Sequence, residues 1–266
     1  MDLRIRSSSS SSSPFDCLLF DLDDTLYSSQ NGISVALKKN IDDFLVTKCG
    51  FSETAASSLR SQLFKSHGSS LAGLRAMGYN IDADDYHSFV HGRLPYSLIK
   101  PNFQLRSLLL SIKQRKLIFT NSDRTHARKV LERLGIEDCF ELIICFETMN
   151  PFLSESTRPD EFPVVLKPSL EAMTIAIRAA KIDPQRTLFF DDNVRNVSAG
   201  AVVGLRTVLV GQSGTSEAAA YVMENVNSLP QVIPEIWGER LLIDSKATGR
   251  PRNALQSVVK ETPVNA

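Results

Sequence analysis

The chain has 266 residues, enough for one large core plus a small accessory domain, and 42% hydrophobic with 23% charged residues is an ordinary globular mixture. Thirty basic and thirty acidic residues give a formal net charge of zero, so no whole-molecule field draws in nucleic acid or an anionic membrane. No apolar run approaches the roughly 20 residues that cross a bilayer.

The first residues are rich in serine and carry Arg4 and Arg6, a weak likeness to a transit peptide. A disordered tail over residues 1–14 of a cytoplasmic protein is the expectation. Phe15 opens a short unbroken apolar run that stops at Asp21, the pattern of a strand covered on both faces. The following residues, 31–94, contain no comparable run. Ile33, Leu37, Ile41, Phe44 and Leu45 form one amphipathic stripe before Gly50, and three further helical segments at 55–64, 69–77 and 83–90 are closed by Gly68, Gly78 and Gly92. This region is expected to be a small all-helical cap inserted after the first strand.

Helix and strand alternate thereafter. A helix is expected over 101–114, a strand at 116–120, a helix over 125–134 ending at Gly135, and a strand at 141–146. Residues 150–163, with three prolines and three acids, read as a loop leading to Lys167. Pro168 suits the first turn of a helix running to 180, and strands follow at 187–191 and 206–211. The pattern predicts an α/β protein, a Rossmann-like parallel sheet with right-handed crossovers. Its core domain would comprise 15–30 and 95–238, its cap 31–94, and 239–266 would be a flexible tail. The cysteines Cys17, Cys49, Cys139 and Cys145 form no CxxC pair and no metal spacing, as expected of reduced thiols packed as small hydrophobes.

The chemistry concentrates where strands end. Asp21 and Asp23 stand two residues apart beyond the first strand, where open α/β sheets bind ligands. One carboxylate can attack while the other handles a proton, and both can help hold a hard cation. A lone pair of this kind is as often an acidic turn or helix cap. Thr120, Asn121 and Ser122 end the next strand in small hydrogen-bonding groups, and Asp191 with Asp192 end a later one. Lys167 adds a cation on a loop beside the same edge.

These four sites in this order, Asp21-Leu22-Asp23-Asp24-Thr25, Thr120, Lys167 and Phe189-Phe190-Asp191-Asp192, resemble the haloacid dehalogenase (HAD) superfamily of phosphohydrolases from about Phe15 to Gly211. The resemblance implies Mg²⁺ held by Asp21, the backbone carbonyl of Asp23 and the Asp191/Asp192 pair, with Asp192 the direct ligand. It makes Asp21 the nucleophile, Asp23 the general acid/base, and Thr120 and Lys167 the holders of the phosphoryl oxygens. Dehalogenases resemble this pattern without the second aspartate, so Asp23 favours phosphoryl transfer, although a phosphomutase uses the same pair.

The segments His91-Gly92-Arg93-Leu94-Pro95-Tyr96, Leu98-Ile99-Lys100-Pro101, Leu105-Arg106, Ile118-Phe119-Thr120-Asn121, His126 and Phe189 to Asn196 are similar to the pyrimidine 5′-nucleotidase branch, including plant xanthosine monophosphate (XMP) phosphatases. That implies a nucleoside 5′-monophosphate substrate. Those plant relatives carry Tyr-Pro-Leu where Tyr27 is here followed by Ser28-Ser29-Gln30, at the entry to the cap. Tyr27, Asn121, Ser122, Arg124 and Arg195 are candidate substrate contacts, and each arginine reads equally as a surface ion-pair partner. His91 and His126 are expected to be structural or at the cap hinge. The expected partner is a small phosphate ester, not nucleic acid or membrane; with no heptads present, a homodimer through cap or core stays open.

Overall fold

A computed structural model describes residues 12–153 and 163–238. The expectations for residues 1–11, for 154–162 and for the tail from 239 onward lie outside the described residues.

The chain opens with strand β1 (Cys17–Phe20), followed by helices α1 (Ile33–Thr47), α2 (Glu53–His67), α3 (Ser70–Ala76), α4 (Ala83–Val90) and α5 (Phe103–Ser111). Strand β2 (Arg115–Phe119), helix α6 (Arg124–Leu134), strand β3 (Leu142–Ile144) and helices α7 (Phe146–Met149) and α8 (Leu170–Ala180) come next. The last elements are strand β4 (Thr187–Asp191), helix α9 (Val194–Val202), strands β5 (Arg206–Val210) and β6 (Tyr221–Met223), and helix α10 (Leu229–Val232). The strands form one sheet in the order β3-β2-β1-β4-β5-β6, every neighbouring pair parallel. This is the Rossmann-like α/β architecture that the alternation implied.

Side chains alternate across a strand, so each face of the sheet needs its own cover. Leu18, Phe20, Ile118, Leu188 and Phe190 belong to one buried cluster, while Leu19, Leu117, Phe119 and Phe189 belong to a second. With both faces dry, the strands read as unbroken apolar runs instead of alternating ones. Phe20 and Phe190, paired in register across β1 and β4, stack with ring centroids 4.4 Å apart.

Of the four helices between β1 and α5, α2, α3 and α4 start at polar side-chain caps. Ser52, Ser69 and Asp82 accept hydrogen bonds from the backbone N–H groups of Ala55, Ala72 and Asp85. The second cluster continues from the sheet into these helices through Phe44, Leu45, Leu63, Leu71, Tyr86 and Val90. The Asn40 amide donates to the Val90 carbonyl at 2.8 Å and ties α1 to α4.

The strand expected over 141–146 ends at Ile144, with α7 starting at Phe146; the sequence pattern carries no expectation for α7, α9, β6 or α10, and α8 begins late. Helix α8 starts at Leu170 because Ser169 caps it, its side chain accepting from Ala172 N–H, so Pro168 stands outside the helix. Strand β6 has three residues, only one of them buried, too few to show a period. Helix α9 carries three valines, a serine and a glycine, a poor helical composition. Tertiary packing decides it: a Cβ on Gly200 would stand 2.7 Å from Phe189 Cδ1, so the glycine lets α9 close onto β4. Gly200→Ala should gain about 1 kcal/mol of helix propensity and lose about 1–3 kcal/mol to overpacking. A net fall in thermal midpoint is expected; a rise would mean that α9 can lift off β4 at little cost.

Candidate active site

Strands β1 and β4 are neighbours at the point where the strand order reverses, which is where an open α/β sheet leaves a crevice at its carboxyl edge. Asp21 follows β1, and Asp191 is the last residue of β4. The Asp21 N–H donates to the Phe190 carbonyl at 2.8 Å, holding the two ends level. Thr120, which follows β2, is buried at the same edge. Beyond Asp23 the chain turns through Asp24 in the left-handed region (φ 61°), whose carboxylate accepts from Ser34 Oγ on α1 at 2.8 Å.

Lys167 is 2% exposed. Its Nζ donates to Asp21 Oδ1 at 2.7 Å, to Asp191 Oδ2 at 2.7 Å and to the Phe119 carbonyl at 2.8 Å, using all three protons. Burial alone would lower its pKa, but the charges of Asp191 and Asp21 raise it above the ordinary lysine value. Asn121 brackets the lysine's backbone, its Nδ2 donating to the Lys167 carbonyl and its Oδ1 accepting from the Lys167 N–H, both at 2.9 Å. The end of α2 closes over the same loop, where a Cβ on Gly68 (φ 80°) would stand 3.3 Å from the Lys167 carbonyl.

The three acids around this ammonium differ in how much of their capacity is used. Asp191 is fully buried and accepts from Lys167, from the Asn193 N–H at 2.9 Å and from Asn196 Nδ2 at 3.0 and 3.1 Å. Burial raises the Asp21 pKa well above the carboxylate range; the Lys167 charge opposes this, and Asp191 and Asp192 add to it. Burial, with the charges of Asp191 and Asp24, raises Asp192 to about 7. Asp21, Asp191 and Asp192 each present a carboxylate oxygen within 4.8 Å of those of the other two. Three hard oxygen donors, with more negative charge than Lys167 neutralises, fit a divalent cation.

Asp23 is shifted the other way. Burial pushes its pKa up, but the His126 charge and hydrogen bonds from His126, Tyr27 and Ser122 take it below the usual carboxylate range. Tyr27 Oη donates to Asp23 Oδ1 at 2.5 Å, His126 Nε2 to the same oxygen at 2.8 Å, and Ser122 Oγ to Oδ2 at 2.8 Å.

A pocket of about 200 Å³ is lined by Asp21, Asp23, Thr120, Lys167, Asp192 and Arg195, among others. It shares Asp24, Phe64, Gly68, Asn121 and Ser122 with a larger cavity of about 500 Å³ between the sheet edge and α1, α2 and α4. The expected residues divide accordingly. Asn121, Ser122 and Arg195 line the pocket, although the Asn121 amide is spent on Lys167 and Arg195 donates to the Lys65 carbonyl at 3.1 Å. Tyr27 faces Asp23 from the buried side and lines neither space. Arg124 also lines neither, and its guanidinium donates to Thr148 Oγ1 at 3.3 Å. His126, expected to be structural, lies in direct contact with Asp23. Its place one turn into a helix beyond the Thr120 strand end was the available signal.

A family model described as haloacid dehalogenase-like hydrolase matches residues 15–204. The chain belongs to this family. It is 28% identical over 199 residues to phosphate metabolism protein 8 of Saccharomyces cerevisiae, a span of 71% of this chain and 60% of the relative. N-acetylmuramic acid 6-phosphate phosphatase of Pseudomonas putida is 24% identical over 143 residues, 53% of this chain and 52% of the relative. The chain therefore spans little more than half the length of these curated relatives. In fold, it is similar to the crystal structure of an HAD phosphatase from Thermococcus onnurineus, with a TM-score of 0.53 at 18% identity over 82% of this chain and 97% of that one.

Removing one member of a buried ion set costs about 3–5 kcal/mol because its partners stay buried and uncompensated. Lys167→Met should therefore lower the denaturant midpoint in chelator-containing buffer, and adding Asp191→Asn should recover part of the loss. An unchanged midpoint in the single variant would show that the ammonium does not hold the strand ends together.

Proposed function

We propose that this HAD-family hydrolase is a Mg²⁺-dependent phosphatase that cleaves a nucleoside 5′-monophosphate through an aspartyl-phosphate on Asp21. The observation that carries the reading is the buried Lys167 ammonium shared by Asp21 and Asp191, with Asp192 and Asp23 opening on the same pocket. Mg²⁺ would be held by Asp21, the Asp23 backbone carbonyl and Asp192, with Asp191 behind them, and would offset the repulsion between an anionic nucleophile and an anionic phosphate.

Asp21 forms the new O–P bond as the bond to the leaving alkoxide breaks. Asp23 gives that alkoxide its proton, then takes one from the water that splits the aspartyl-phosphate, releasing inorganic phosphate and free Asp21. The three donors around Asp23 keep it ionised in the free protein, as the second half-reaction needs. For the first half, the charge of a bound phosphate raises its proton affinity. The Thr120 hydroxyl meets non-bridging oxygens, and Lys167 is a fixed positive charge in the pocket wall.

The leaving group would occupy the cavity of about 500 Å³, walled by Leu37, Ile41, Tyr86, Val90 and Phe146. Phe64, 49% exposed, borders both spaces and offers a ring to a flat heterocycle. This supports a nucleoside in the cap region, with XMP the first candidate and UMP or CMP the nearest alternatives. Similarity to N-acetylmuramic acid 6-phosphate phosphatases favours a second reading, a broader phosphatase of small phosphorylated metabolites.

Two measurements test these statements. Asp192→Asn should weaken Mg²⁺ binding by about tenfold or more in calorimetric titration, as expected when a charged oxygen ligand is lost; unchanged affinity would remove Asp192 from the ligand set. The purified protein should show its highest kcat/KM on XMP among XMP, UMP, CMP, GMP, pyridoxal 5′-phosphate and N-acetylmuramic acid 6-phosphate, and Asp21→Asn should abolish turnover. Uniformly slow rates would refute the nucleotide assignment, and full hydrolysis by Asp21→Asn would refute the mechanism. Hydrolysis of no ester at all would favour a phosphate-binding regulatory module.

A further inference from the structure

We infer that His126 is the positioning residue for Asp23, anchoring the carboxylate to the core so that Oδ2, and not Oδ1, exchanges the proton with the leaving group. The inference rests on the reading of Asp23 as the acid/base.

Asp23 lies on the loop beyond β1, where no helix or strand fixes its side chain. Its two oxygens are used unequally. Oδ1 accepts from Tyr27 Oη at 2.5 Å and from His126 Nε2 at 2.8 Å. Oδ2 accepts from Ser122 Oγ at 2.8 Å, and Ser122 lines both the phosphate pocket and the larger cavity. An oxygen holding two hydrogen bonds from buried donors has little capacity left for a leaving group. That leaves Oδ2, on the pocket side, as the working atom.

The two donors to Oδ1 do different jobs. Tyr27 is four residues from Asp23 and travels with the same loop. His126 belongs to α6, the helix that follows β2 and Thr120, so it ties the acid/base to the limb of the sheet that also carries a phosphate contact. The imidazole is itself held on every side. It is 1% exposed, its Nδ1 shares a hydrogen bond with Tyr96 Oη at 2.9 Å, and its backbone N–H donates to Asp123 Oδ1 at 2.9 Å. One face stacks on His91, ring centroids 4.5 Å apart, and His91 in turn pairs with the other oxygen of Asp123. The hydrogen bond at Nδ1 sets the ring plane and directs Nε2 at Asp23, as an outer partner does for a liganding or catalytic histidine.

A misplaced general acid affects poor leaving groups much more than good ones. The test compares kcat/KM, which reports steps up to transfer of the phosphoryl group to Asp21, for a nucleoside 5′-monophosphate and for p-nitrophenyl phosphate, whose nitrophenolate departs with little need of a proton. His126→Leu should lower kcat/KM for the nucleotide by about 30-fold, within the range of general-acid contributions, and for the nitrophenyl ester by less than about threefold. His126→Gln, which keeps an amide N–H at similar reach, should restore most of the nucleotide rate. Tyr96→Phe should give a smaller loss with the same split. If His126→Leu does not fold, His126→Asn, whose amide is too short to reach Asp23, takes its place with the same expected split. Equal losses on both substrates, or a Gln variant no better than the Leu or Asn variant, would overturn the inference. Asp23→Asn separates the two levels. A split in Asp23→Asn without one in the His126 variants removes only the role of His126, whereas no split in Asp23→Asn removes the acid/base reading and this inference together.

Discussion

The site depends on one buried ammonium. Taking a lysine and two carboxylates out of water costs several kcal/mol per ion, and only near-ideal geometry with every proton and lone pair used offsets it. Lys167 meets that condition through Asp21, Asp191 and the Phe119 carbonyl, so a single nitrogen joins β1, β2 and β4 at their carboxyl ends. The surrounding features serve the same point: Asn121 brackets the lysine's backbone, and Gly68 lets α2 approach its carbonyl closely.

Around that nitrogen, two aspartates two residues apart are driven in opposite directions. Asp21, buried among other carboxylates, has its pKa raised, while Asp23, surrounded by hydrogen-bond donors, has its pKa lowered. Environments that separate neighbouring titratable groups in this way assign them different chemical roles. The excess negative charge at Asp21 and Asp192 is what a divalent cation would relieve, whereas the Asp23 side chain is already satisfied by three donors.

Much of this was legible in the sequence, for identifiable reasons. Strands covered on both faces appear as unbroken apolar runs, so β1, β2, β4 and β5 and the acids that end two of them stood out. Helix α4 was readable as a helical segment over 83–90 closed by Gly92. Elements held by tertiary contact were not: α9 has poor helical composition and exists because Gly200 fits against Phe189. The site followed the same rule. Asp21 and Asp191 stood out by their place at strand ends, and Lys167, on a loop, only through their company. The occupation of Tyr27 by Asp23, the pull of Arg124 toward Thr148, and the contact of His126 with Asp23 depend on distances between residues far apart in the chain or on side-chain direction, which spacing alone does not encode.

The apolar cluster beneath the sheet does not stop at the sheet; it runs through Phe44, Leu63, Leu71 and Tyr86 into the helices above the pocket. A layer that shares its interior with the layer below cannot melt alone, because its loss would wet Leu19, Phe119 and Phe189 as well. The wall of the larger cavity and the strands that carry Asp21 and Asp191 therefore belong to one cooperative unit. Changes of side chain on the cavity side of α1, α2 or α4 reshape the cavity alone, but changes on their inward side act on the stability of the whole protein.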